Sequence, residues 1–207
     1  MGRKSNELSH PLTVLEDAGL IARETDAFRG NRTDFRIKEP LLTFYHAMMR
    51  PFWSQLMRAG ATDRIWQRAK QRFTVNVLGP HFERLCRDWT LHFAEDRFGD
   101  WPSQVTAGTV NDPENRTTHQ VDIAAVGHAD DGKPPLLAIG EAKWGEVMEM
   151  KHLERLRRIR DIIDRNDRYD SSQTRLVCYS GAGFTEELDQ AGQRGEVELV
   201  GLKDLYS

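Results

Sequence analysis

The sequence predicts an α/β fold: a mixed β-sheet flanked by helices, preceded by a helix with a two-stranded ribbon and then by a helical linker. Three observations predict it. From Gly79 onward, segments of helical and strand periodicity follow one another as helix, three strands, helix, strand, helix, strand. Two apolar runs, 121–126 and 136–140, flank the turn signal Asp130-Asp131-Gly132-Lys133-Pro134-Pro135, as the arms of a hairpin do. Ahead of Gly79, an aromatic- and Met-rich stretch keeps a helical pattern with no strand alternation.

Taken in order, residues 11–21 read as a short helix with Leu12, Leu15 and Leu20 on one side, closed by Gly19. Short strands follow at 21–24 and 35–37, around the turn Arg29-Gly30-Asn31. A helix followed by a two-stranded wing is how a winged-helix domain ends. Ten residues cannot supply the two earlier helices such a domain needs, so 1–39 reads as a partial winged helix and the chain as starting inside a domain. Residues 40–78 form the helical linker, with Phe44, Tyr45, Met48, Phe52, Trp53 and Trp66 among its apolar positions and Pro51 as a break. The simplest role for those side chains is packing within a helix pair; a docking surface for a partner domain is the alternative.

Residues 79–207 make the α/β domain. Pro80 sits where a first helical turn accepts proline, and Phe82, Leu85, Cys86, Trp89 and Phe93 recur at helical spacing to about Ala94. A strand at 104–109 precedes the hairpin. A helix at 148–163 buries Leu153, Leu156, Ile159, Ile162 and Ile163, a strand runs over 174–180, a helix starts near Thr185, and a last strand covers 197–202.

Composition limits the function classes. A chain of 207 residues holds one good core and a small appended unit. With a net charge of −3, any nucleic-acid surface must be a local patch. Cys86 and Cys178 lie in apolar surroundings, which reads as free thiols in a reducing compartment. No apolar run approaches membrane-spanning length and no signal segment opens the chain, so the expected location is the cytoplasm. No G-x-x-x-x-G-K-[ST] occurs, which removes an ATP site from this chain. The seven histidines form no metal-spaced pair.

The chemistry concentrates in the hairpin. Strand side chains alternate, so Glu141 and Lys143 share a face, and a register centred between Asp131 and Gly132 puts Asp122 directly opposite Glu141. Two acids across a strand pair, with an ammonium beside them, can hold a divalent cation and position a water, as phosphodiester cleavage requires. That use needs the acids in an open, solvent-reachable cleft. The alternative is a structural ion pair with Lys143. Glu83, on the flank of the helix over 79–94, either joins this group or pairs with Arg87 one turn on. On the helix after the hairpin, Lys151, Arg155 and Arg158 are candidates for nucleic-acid phosphates; interleaved Glu154, Asp161 and Asp164 would make it an ordinary solvated face. Arg23, Arg29, Arg32 and Arg36 could follow a DNA backbone, although packing of the incomplete wing explains them better.

The segments Leu15-Glu16-Asp17-Ala18-Gly19-Leu20-Ile21, Phe35-Arg36-Ile37, Gly79-Pro80-His81-Phe82-Glu83, Val121-Asp122-Ile123, Gly140-Glu141-Ala142-Lys143-Trp144 and Ser180-Gly181-Ala182-Gly183-Phe184 carry a resemblance. The chain resembles the PD-(D/E)xK nucleases, the restriction-endonuclease-like fold, and more closely the C-terminal region of prokaryotic P-loop ATPases known as domain of unknown function 234. The resemblance implies Asp122 and Glu141 as ligands of Mg²⁺ or Mn²⁺. It implies Lys143 as the group that orients or helps deprotonate the attacking water, and Glu83 as a further contributor. Two departures stand out: the ATPase part is absent from this sequence, and Gln120 stands where many relatives carry an acid. Two functions follow as expectations. One is metal-dependent hydrolysis of DNA. The other is a non-catalytic DNA-binding or regulatory module of an ATPase, with a P-loop domain or subunit as partner.

Overall fold

The structure, a computed structural model, describes residues 5–93, 95–129 and 131–206. Ala94, where the sequence places a helix end, and Asp130, in the hairpin turn, lie outside the described residues. The chain forms two units. One comprises residues up to Thr25 together with Asn31–Leu78, the other Asp26–Gly30 together with Gly79–Ser207.

In the first unit, α1 (Ser5–Asp17) is followed by the antiparallel pair β1 (Ile21–Thr25) and β2 (Thr33–Ile37). The helix starts earlier than the sequence pattern suggests and carries Pro11 in its interior. It ends where expected: Gly19 adopts φ +70°, and Leu20 N–H closes on Leu15 O at 3.0 Å, a glycine stop. The arginines of this ribbon meet carboxylates, Arg23 with Glu16, Arg32 with Asp34 and Arg36 with Glu24. Then come α2 (Pro40–Phe44), α3 (Trp53–Leu56) and α4 (Thr62–Phe73). The long helical stretch is interrupted as Pro51 demands. With no N–H to give and a ring that crowds the preceding turn, it sits in a tight turn at Arg50–Phe52.

The second unit is a five-stranded sheet between helices. After α5 (Gly79–Phe93) and α6 (Glu95–Phe98) come β3 (Gln104–Asp112), β4 (Thr117–Val126) and β5 (Leu136–Lys143). Then α7 (Met150–Arg165), β6 (Arg175–Ser180), α8 (Glu186–Gln193), β7 (Glu198–Gly201) and α9 (Leu202–Leu205) follow. The strands lie in chain order, with β3, β4 and β5 antiparallel and β6 and β7 added parallel through α7 and α8. The sheet is therefore mixed.

Both faces are covered. Leu153, Leu156, Ile159 and Ile163 of α7 pack on Ala124, Ile139 and Cys178, and Phe82, Cys86 and Trp89 of α5 pack on Ile123, Ala138 and Val177. Gly140 is needed between them: a Cβ there would come within 2.8 Å of the Tyr179 ring. The freed ring space lets the Tyr179 hydroxyl meet that of Thr90 at 2.6 Å in the core. Cys86 and Cys178 are free and buried, and burial pushes the Cys178 thiol up to about 12. No helix among the described residues is long and apolar enough to cross a membrane.

Candidate functional site

Two irregularities in the sheet set the position of Asp122. Thr106 pairs with Ala124 and Gly108 with Val121, so Asp122 and Ile123 together face Ala107 alone. A bulge of this kind bends its strand and re-aims a side chain. The Ala107 carbonyl turns instead to the Asp26–Gly30 segment and accepts the Ala27 N–H at 3.0 Å. On the other edge of β4, the ladder to β5 runs through Ala125↔Ala138, Ala124↔Ile139 and Ile123↔Gly140, the register predicted from the sequence. The next rung is made by a side chain: Asp122 Oδ2 accepts the Ala142 N–H at 3.1 Å. Buried Arg87 of α5 donates to the Asp122 carbonyl at 2.9 Å.

That register arises differently from a symmetric two-residue turn. Next to the loop, Val126 pairs with Leu136 and Gly127 N–H reaches Pro135 O at 2.8 Å, one residue out of the expected pairing. Leu137 is the extra residue on β5, and the shift it introduces restores the expected partners from Ala125↔Ala138 onward. Gly132, at φ +87°, supplies the left-handed backbone that the loop uses.

Glu141 lies beside Asp122, and both are buried, with 4% and 8% of their surfaces exposed. Among the described residues, neither carboxylate lies open to solvent as the cleavage reading expects. Cations engage Glu141. Lys143 Nζ is 3.0 Å from Glu141 Oε1, and Arg155 Nη1 of α7 is 2.9 Å from Glu141 Oε2. Arg155 Nη2 also donates to the Gln120 carbonyl at 2.7 Å. Two carboxylates and two cations thus balance, which is the condition for keeping charge out of water.

The titration behaviour follows from that enclosure. Burial drives the Asp122 carboxyl above its ordinary value, and the Glu141 charge adds to this; the Ala142 N–H, Lys143 and Arg155 pull the other way without cancelling it. For Lys143, burial by itself would lower the pKa, but the charge and hydrogen bond of Glu141, with Asp122, carry it above the usual lysine value.

The other candidates fall around this centre. Glu83 is half-buried on α5, where its charge and that of Asp122 add to the burial that raises the Cys86 thiol. Its expected helical partner, Arg87, is the residue that reaches the Asp122 carbonyl. Lys151, Arg155 and Arg158 share one face of α7. Lys151 contacts Glu146 at 3.2 Å and Glu149 at 3.4 Å. The exposed Arg158 side chain makes no ion pair among the described residues.

Sequence reasoning missed the bulge at Asp122, the Arg87 strut and the Arg155–Glu141 contact. For Arg155 there was one signal: an arginine one helical turn beyond Lys151, directly after the carboxylate strand. Ser180, which pairs with Lys143 across β5 and β6, organises the following Gly-Ala-Gly loop. Its hydroxyl accepts the N–H groups of Ala182 at 3.1 Å and Gly183 at 2.9 Å.

Carboxylate oxygens from two strands are hard donors of the kind Mg²⁺ and Mn²⁺ take. No group of three or more His, Cys, Asp or Glu converges on a metal position among the described residues. The two acids fit a divalent cation by chemistry, with the rest of its shell left to backbone oxygen, water or phosphate. They fit it by space only when Arg155 has left Glu141, because both oxygens of Glu141 are held by protein cations.

No family model and no curated protein matches the chain. Solved structures similar to it include protein VC1899 from Vibrio cholerae, at 16% identity and a TM-score of 0.42 over 99% of this chain and 40% of that one. Also similar is EndoMS in a complex with double-stranded DNA, at 13% identity and a TM-score of 0.32 over 58% of this chain and 44% of that one. A repair endonuclease from Pyrococcus abyssi matches at 16% identity and a TM-score of 0.31, over 56% of this chain and 46% of that one. The chain thus spans less than half the length of each of the three.

Proposed function

We propose that the second unit carries a divalent-metal-dependent phosphodiesterase centre acting on DNA, built on Asp122, Glu141 and Lys143. The observation that supports this reading is that two buried carboxylates feel each other's charge where the β4–β5 ladder gives way, at the bulge, to the Asp122 side chain. Mg²⁺ or Mn²⁺ held by Asp122 and Glu141 would supply Lewis-acid polarisation of the phosphate. The Ala142 N–H keeps the Asp122 carboxylate oriented along the strand end. Lys143, an ammonium with three donors on a flexible stem, holds the attacking water with one N–H and faces the charge that builds on the phosphate. Lys151 and Arg158, exposed on α7, hold backbone phosphates. Glu83, half-buried on α5, would be a further contributor.

A second reading rests on the neutralised Glu141, both of whose oxygens are engaged by protein cations. In it the carboxylates serve structure, and the chain is a DNA-binding or regulatory module that works with a P-loop ATPase partner. The partial winged helix at 1–39 and the linker at 40–78 belong to either reading.

The deciding experiment incubates the chain with labelled linear, branched and single-stranded DNA and Mg²⁺ or Mn²⁺, beside Asp122→Asn, Glu141→Gln and Lys143→Met. Cleavage that needs the metal and all three residues supports the nuclease reading. Metal-independent DNA binding without cleavage in any arm supports the module.

A further inference from the structure

We infer that Arg155 is a displaceable counter-ion through which DNA binding opens the Glu141 carboxylate to a metal ion, so that DNA and the divalent cation bind cooperatively. The inference rests on the proposed metal centre and adds the means by which it is regulated.

The geometry carries it in four steps. Glu141 presents no uncompensated oxygen: Oε1 faces Lys143 at 3.0 Å and Oε2 faces Arg155 at 2.9 Å. Adding a doubly charged cation to a cluster of two acids and two bases, with nothing leaving, would set like charges together in a poorly solvated site. One base must go, and the two differ in attachment. Lys143 sits on β5 two residues from Glu141, so the strand itself holds it on the same face. Arg155 comes from α7, and its guanidinium is tied by a side-chain contact and by one carbonyl, that of Gln120. Its side chain is 34% exposed, so it can turn to solvent without disturbing the core.

What draws it out is its setting. Arg155 lies between Lys151 and Arg158 on one face of α7, and both neighbours are exposed. A strand of phosphates along this row offers the guanidinium a bidentate anion in place of Glu141. The exchange limits the excess positive charge that the metal brings to the site. Phosphate replaces carboxylate as the partner of Arg155, and the metal replaces Arg155 as the partner of Glu141. By linkage each ligand must strengthen the other by the same factor.

The test measures binding and not turnover. Mn²⁺ is titrated calorimetrically into the full chain, alone and saturated with a short phosphorothioate duplex, which keeps the backbone charge and resists hydrolysis; the heat of Mn²⁺ binding to duplex alone is subtracted. The same titrations are run on Arg155→Met, Arg155→Lys and Glu141→Gln, each first checked for native circular dichroism. The expected result is Glu141-dependent Mn²⁺ binding that the duplex tightens by roughly tenfold, within the range of common allosteric couplings. Arg155→Met should bind Mn²⁺ about tenfold tighter than wild type without duplex and show no further gain with it, with Arg155→Lys between the two. Glu141-dependent binding indifferent both to the duplex and to residue 155 would overturn this inference alone. Absence of Glu141-dependent Mn²⁺ binding in every arm would overturn the proposed metal centre, and this inference with it.

Discussion

Asp122→Asn should stabilise the protein at neutral pH while abolishing the DNA cleavage proposed above. The substitution keeps shape and keeps an oxygen for the Ala142 N–H, now accepted at 3.1 Å by the carboxylate. It removes a charge that burial and the neighbouring Glu141 both oppose, and it gives up the attraction of Lys143 and Arg155. Those two cations spend their contacts on Glu141 and are about one-third exposed, so the loss is screened. Relieving an incompletely compensated buried charge is then worth about 1–2 kcal/mol. In a chain of this size that corresponds to a rise of roughly 2–8 °C in Tm.

The pH dependence fixes the sign. The folded-state pKa of Asp122 lies above its unfolded value, so the folded protein binds the proton more tightly. The stability contributed by that proton is complete below the unfolded carboxyl value, near pH 4, and is lost as pH rises through the folded pKa. The advantage of Asn over Asp should therefore be absent at about pH 3.5 and grow to its plateau by neutral pH. Urea melts of both proteins across that range measure it. A variant less stable than wild type at pH 7, with the difference shrinking in acid, would refute the reasoning, since it would mean that the ionised carboxylate is net stabilising.

Glu141→Ala should go the other way, costing about 2–3 kcal/mol in urea denaturation because Lys143 and Arg155 lose their shared anion; the figure sits below that for fully buried pairs because both cations can reach water. Gly140→Ala places a methyl 2.8 Å from the Tyr179 ring in a closed core, and a loss of about 1–3 kcal/mol is expected from the same melts. Arg158→Ala should leave stability within about 0.5 kcal/mol, since its side chain is exposed and makes no ion pair among the described residues. Its effect should appear in duplex binding, where the slope of log affinity against log salt flattens by about 1.

The sequence located the carboxylates well because strand chemistry is local. Alternation assigns Glu141 and Lys143 to one face wherever the strand lies, and two apolar runs on either side of a Gly-containing turn leave few registers that bury both arms. The α7 stripe of Leu153, Leu156, Ile159 and Ile163 was readable for the same reason, since helical period alone names its buried side. Local signals failed where backbone pairing on two sides decides the outcome. The bulge at Asp122 depends on β3, β4 and Ala27 together, and the one at Leu137 on how the loop closes; no side-chain pattern encodes either.

By itself, then, the sequence determined which residues can share a face, which segments repeat at strand or helix period, and which adjacent strands carry the two acids. Only the tertiary structure decided what those acids meet. Arg155 is fourteen residues from Glu141 along the chain and joins it because α7 returns across the sheet between parallel strands β5 and β6. Arg87 reaches Asp122 from α5 on the other face. The reason is physical: a buried charge takes whatever counter-charge folding brings into contact, and for Glu141 the strand itself supplies Lys143 while the second partner, Arg155, comes from another layer of the fold.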